Sequence, residues 1–116
     1  MGRHFVTNSA SIQLNPLSLG MKYIKLIFPN LSMLDVSNNC IGEVCANISD
    51  LTNLSVLNLS ANKDICYLPP EMGLLSKLWN LSTRGCHLNE PLRTMIESKK
   101  YKTMDIIGYL KSILEK

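Results

Sequence analysis

Three segments of this chain superimpose on one spacing of apolar residues: Leu31-x-x-Leu34-x-Val36-x-x-Asn39-x-Ile41, Leu54-x-x-Leu57-x-Leu59-x-x-Asn62, and Leu78-x-x-Leu81-x-Thr83-x-x-Cys86-x-Leu88. The first leucines fall at 31, 54 and 78, a period of 23 and then 24 residues. The correspondence continues outside the motif, because Val44, Ile48 and Leu51 precede the second segment as Leu68, Met72 and Leu75 precede the third. A lone Leu-x-x-Leu-x-Leu suits many helices, whereas a whole set of apolar positions recurring unit by unit demands similar units side by side.

This is the leucine-rich-repeat pattern, and its physical basis is that one unit cannot bury its own apolar residues. Leu34 and Val36 are two apart and point the same way from a short strand, while Leu31, Ile41, Val44 and Ile48 turn inward from the bends and the return segment. The expected fold is α/β: a short leucine-rich-repeat solenoid with a parallel sheet on the concave face and a C-terminal capping helix. Strands are expected near residues 33–37, 56–60 and 80–84, with Leu34, Val36, Leu57, Leu59 and Leu81 in the core. Asn39 and Asn62 fall where each strand ends. A buried amide there can accept from and donate to backbone groups that lack ladder partners. Cys86 replaces it in the last unit, an alternative the repeat pattern allows.

The domain reading has three parts. Residues 1–28 are an irregular lead-in or a degraded repeat, since aligning upstream from Leu31 keeps Phe28 in register but puts Lys25 where Ile48 and Met72 stand. Residues 29–100 hold the repeats and residues 101–116 a capping or connecting helix. About three units is the usual minimum for such a stack, and terminal units need caps, so the chain reads as a fragment of something longer.

Charge and cysteine usage narrow the function classes. Residues 1–92 carry six basic and six acidic side chains, so all of the net +3 lies in residues 93–116. A nucleic-acid footprint would be denser, and the expectation is a solvated helical face with no nucleic-acid partner. No run reaches membrane-spanning length and the N-terminus lacks the apolar stretch of a signal peptide, so no membrane insertion is expected. Cys40, Cys45, Cys66 and Cys86 form no Cys-x-x-Cys pair, and His4 and His87 are the only histidines. Free thiols in a cytoplasmic setting, with no metal and no cofactor, are the expectation. Against this, Asn30, Asn47, Asn53, Asn58 and Asn80 begin Asn-x-Ser triplets, although Asn-Leu-Ser arises readily in such a repeat.

After Leu88 the pattern changes. Asn89, Glu90 and Pro91 suit a helix entry with Asn89 as cap, and Leu92 and Ile96 keep the register of Leu68 and Met72, placing this helix on the back of the last unit. Beyond the polar break at residues 98–102, Thr103 can cap a helix over about 104–114, with Ile106, Ile107, Leu110, Ile113 and Leu114 on one stripe. The stretch Leu68-Pro69-Pro70-Glu71-Met72-Gly73-Leu74-Leu75-Ser76-Lys77-Leu78-Trp79-Asn80-Leu81, with His87-Leu88-Asn89 and Lys102-Thr103-Met104-Asp105-Ile106-Ile107-Gly108-Tyr109-Leu110, resembles the end of the repeat region of the Roco-family leucine-rich-repeat kinases. The resemblance covers residues 28–116. It implies that the last helix leads, in such a protein, into a Roc GTPase domain, then a COR module and a serine/threonine kinase. Their chemistry does not carry over, because the chain has no phosphate loop, no glycine-rich kinase loop, no His-Arg-Asp and no Asp-Phe-Gly.

The strand register puts three columns on the outward face of the sheet: Met33, Val56 and Asn80; Asp35, Asn58 and Ser82; Ser37, Ser60 and Arg84, flanked by Trp79. Repeat proteins typically bind on this face, and these ten residues are the candidate partner-binding site. No catalytic residue is assigned, since Cys86 and His87 are adjacent on one strand and point to opposite faces. The reading is a non-catalytic interaction or scaffold module whose partner is a protein or the adjoining domains of a longer chain. The alternative is an ectodomain fragment of a cell-surface leucine-rich-repeat receptor, with the Asn-x-Ser triplets glycosylated and the cysteines oxidised.

Overall fold

The computed structural model describes residues 29–39 and 41–115, together with the backbone of Ser9–Ser11 and Ser18–Leu19. The rest of the 1–28 lead-in, the Cys40 thiol and Lys116 lie outside the described residues. The fold is mixed α/β. Strands β1 (Ser9–Ser11), β3 (Met33–Asp35), β5 (Val56–Asn58) and β6 (Asn80–Ser82) form a parallel sheet in the order β1-β3-β5-β6. A second parallel pair joins β2 (Ser18–Leu19) to β4 (Glu43–Val44). The return segments hold two 3-10 turns, Ala46–Asp50 and Pro70–Leu74, and helices α1 (Leu92–Glu97) and α2 (Thr103–Leu114) follow β6.

Register follows the motif: Leu34 faces Leu57 and Leu57 faces Leu81. The strands are three residues long rather than five, because the chain swings into the left-handed region just beyond them, at Asn38 (φ 57°), Ala61 (φ 61°) and Gly85 (φ 87°). Each of these immediately precedes Asn39, Asn62 or Cys86. Backbone pairing nevertheless continues past the strand ends, with Asn38 N–H donating to Ser60 O at 2.9 Å and Ala61 N–H to Arg84 O at 2.7 Å. Gly85 has a second constraint, since a β-carbon there would sit 3.2 Å from the backbone of Ala61.

The core is the row of motif positions. Leu34, Val36, Leu57, Leu59, Ile48 and Met72 are fully buried. Leu81 departs from the expectation and is half-buried, because no further strand covers the last rung. Ile65 is buried as well, one residue later than the motif places it, with Lys63 and Asp64 forming the exposed bulge that displaces it. On the N-terminal side β1 pairs with β3 so that Ala10 lies opposite Leu34.

Asn62 ties two units together. Its Oδ1 accepts from the backbone N–H of Asn39 (3.1 Å) and Ile41 (3.2 Å), and its Nδ2 donates to Leu59 O (2.8 Å) and Val36 O (3.1 Å). Asn39 Nδ2 donates to Val36 O at 2.9 Å. Cys86 reproduces part of this, its thiol donating to Leu59 O at 3.2 Å while it accepts from the backbone of Asn62.

Leu92 of α1 is buried in the core and Ile96 packs against it, as their register requires, but the longer helix lies on the back of the stack. Against the 3-10 turn Pro70–Leu74 lies α2, not α1. The third unit cannot finish its own back side, because the position equivalent to Leu75 is Lys99, exposed and left-handed (φ 59°). The longer helix closes the gap with Ile106, Ile107 and Leu110 buried. Ile113 and Leu114 are 36% and 37% exposed, so the covered stripe stops one turn earlier than the sequence suggests. Gly73 makes the approach possible, since a β-carbon on it would overlap the backbone of Lys111.

Helix starts also differ. Asn89 does not cap α1; the carboxylate of Glu90 accepts from Thr94 N–H (3.2 Å) and Thr94 Oγ1 (2.5 Å) instead. These bonds, with Arg93 at 3.2 Å, hold the Glu90 pKa below its usual value. Thr103 is the first residue of α2 rather than its cap, and its hydroxyl accepts the Leu81 N–H at 3.1 Å. Asp105 supplies the cap by accepting Lys102 N–H at 2.8 Å.

Candidate functional site

The pairing sets Met33, Val56 and Asn80 in one column and Asp35, Asn58 and Ser82 in the next. Ser37, Ser60 and Arg84 continue the third column along the same ladder. The register extends the first two columns to Ser9 and Ser11 on β1, which the motif alone did not reach because Thr7 and Ala10 stand where leucines would announce a unit.

Not all ten residues are equally available. Asp35 Oδ1 accepts from both the backbone N–H and the hydroxyl of Ser37, at 2.9 and 2.6 Å. Asn58 Oδ1 likewise accepts from Ser60 N–H at 3.0 Å, and Ser60 shares its hydroxyl with that of Ser82 at 2.6 Å. Internal bonding thus engages the polar middle of the face. What the face offers outward is Met33 (45% exposed), Trp79 (64% exposed), Asn80 and Arg84, with half-buried Val56 between them. Trp79 is therefore not packed down over the terminal rung. An exposed tryptophan and a guanidinium are residue types enriched where protein surfaces meet.

The same face carries no arrangement for proton transfer. Cys86 is half-buried and its thiol points inward to Leu59 O; burial raises its pKa, which disfavours the thiolate a nucleophile requires. Cys86 and His87 both lie beyond β6 rather than on a strand, and His87 is exposed. Among the described residues no cluster of His, Cys, Asp and Glu could hold a metal ion, and no helix is long and apolar enough to cross a membrane. Cys45, Cys66 and Cys86 are unpaired.

The rows of buried leucine, the amides beyond β3 and β5 with Cys86 beyond β6, and the in-register parallel strands are the features of a leucine-rich repeat. No family model matches the chain. It is a relative of a leucine-rich repeat serine/threonine-protein kinase: over 106 residues, 91% of its length, it is 42% identical to leucine-rich repeat serine/threonine-protein kinase 1 of Caenorhabditis elegans. The chain spans only 4% of that protein's length.

Proposed function

We propose that the chain is a non-catalytic leucine-rich-repeat module, a short solenoid whose concave face binds a protein partner or adjoining domains, as in the repeat region of an intracellular Roco-type kinase. The observation that carries this reading is the 42% identity to a leucine-rich repeat kinase across 91% of a chain that holds no nucleotide-binding or kinase motif. Exposed Trp79 beside β6 and Met33 on β3 support the sheet face as the contact surface. In a longer cytoplasmic protein, such a module would set the position of GTPase and kinase domains relative to a bound partner. Catalysis would belong to those domains.

A photo-reactive amino acid placed at position 79 or 33 tests the assignment, with position 71 on the back as control, in cells expressing the chain. The expected result is discrete protein adducts from the sheet face and none from the back. Adducts equally abundant from position 71, or none from the sheet face, would remove the surface from the proposal.

A further inference from the structure

Beyond β6, helix α1 and the connector 98–102 leave a cleft of about 330 Å³ at the open end of the sheet. Its floor is the outer edge of β6, Ile96 and Ile106 give it apolar walls, and Arg84, Lys99 and Lys102 stand around it. No carboxylate lies among its described lining residues. Two acids stand outside that lining: Asp105 accepts Lys102 N–H at 2.8 Å, and Glu97 lines the neighbouring cleft with Arg84 and Arg93. The only ion pair among the described residues joins Arg93 to Glu90, so Arg84, Lys99 and Lys102 make no direct salt bridge.

The edge of β6 would ordinarily invite an added strand. Here one donor of that edge, Leu81 N–H, is already taken by Thr103 Oγ1 at 3.1 Å, which leaves more of the recognition to side chains. From these observations we infer that the cleft docks an acidic peptide segment of a protein partner, with one apolar residue between Ile96 and Ile106 and flanking carboxylates on Arg84, Lys99 and Lys102. Charge complementarity selects the occupant: three cations without a carboxylate favour an acidic chain, and the apolar walls favour a peptide over a bare polyanion. The site is separate from the sheet-face reading, sharing only Ser82 and Arg84 with it, and stands if that reading fails.

The test uses the whole chain, labelled with ¹⁵N, and a fluorescein-labelled peptide of sequence Glu-Glu-Leu-Glu-Glu as probe. Expected are shift changes confined to residues 81–84 and 96–106, and a loss of affinity of at least about tenfold in the double variant Lys99→Glu with Lys102→Glu. Lys63→Glu with Lys111→Glu carries the same charge change away from the cleft and should leave affinity within about twofold. Should the first variant fail to fold, Lys99→Asn with Lys102→Gln removes the charges while keeping a residue at 99 that tolerates a φ of 59°. Equal losses in both charge-reversal variants, shifts centred on positions 33, 56 and 80, tighter binding of an oligothymidylate of similar length, or no binding at all would each overturn the proposal.

Discussion

Asn62 shows how much a single side chain can hold in a repeat. It is fully buried, with its amide spent on the backbone of its own unit and of the unit before. Asn62→Leu keeps volume but removes the acceptor of the Asn39 and Ile41 N–H groups, at about 1–3 kcal/mol for each left unpaired, while Val36 O and Leu59 O keep Asn39 Nδ2 and the Cys86 thiol. The variant should therefore lose most of the stability of so small a chain, measured by urea denaturation. Retention of the wild-type midpoint would show that the amide is dispensable. Cys86 occupies the same place one unit on, and burial raises its pKa. A thiol whose folded pKa lies above its unfolded value stabilises fully below the unfolded value, and that contribution fades as pH rises through the folded one. Cys86 should thus resist iodoacetamide near pH 8 in the native chain and react once unfolded. Stability should begin to fall above about pH 8.5, the ordinary thiol value. Rapid native alkylation at pH 8 would contradict the inward hydrogen bond.

Among the elements, the joint between α2 and the turn Pro70–Leu74 is the least tolerant. Gly73→Ala places a methyl against the backbone of Lys111, which has no side-chain freedom with which to yield. Overpacking of this kind costs about 1–3 kcal/mol. The expected outcome is a lower melting temperature, read by circular dichroism, and loss of chemical-shift dispersion at Ile107 and Leu110 first. An unperturbed variant would mean that the helix does not seat there. Much of this architecture was legible in the sequence, because burial repeats with the unit: the leucine rows, the parallel sheet and the terminal helix all follow from period and spacing. Three features were not. Ile65 was hidden by the extra residue at Lys63-Asp64, although counting back three from Leu68, as Ile41 stands three before Val44, recovers it. β1 was hidden because Thr7 and Ala10 replace the leucines that announce a unit. Helix α2 was legible as a cap but not in its place. Periodicity assigns Leu92 and Ile96 to the back of the third unit, and only the packing shows that a single exposed lysine, Lys99, breaks that unit and gives the slot to α2. The register of the three columns was legible in the spacing, yet hydrogen bonds among Asp35, Ser37, Asn58 and Ser60 follow from side-chain geometry that spacing cannot express.

At the scale of the whole molecule, sheet, return segments and α2 form one body in which each layer covers the next. We expect the repeats to be stable only because the helix closes them, so that repeats and helix open together. Native-state hydrogen exchange, followed residue by residue, tests this most directly. The ladder amides of Leu59 and Ala61, which donate to Ser82 O and Arg84 O, should exchange through the same global opening as the amides of Ile107 and Leu110 in α2. Equal opening free energies, falling together as denaturant is added, are the predicted result. Amides of α2 that exchange freely while Leu59 and Ala61 stay protected would contradict it, and would reduce the helix to a tether.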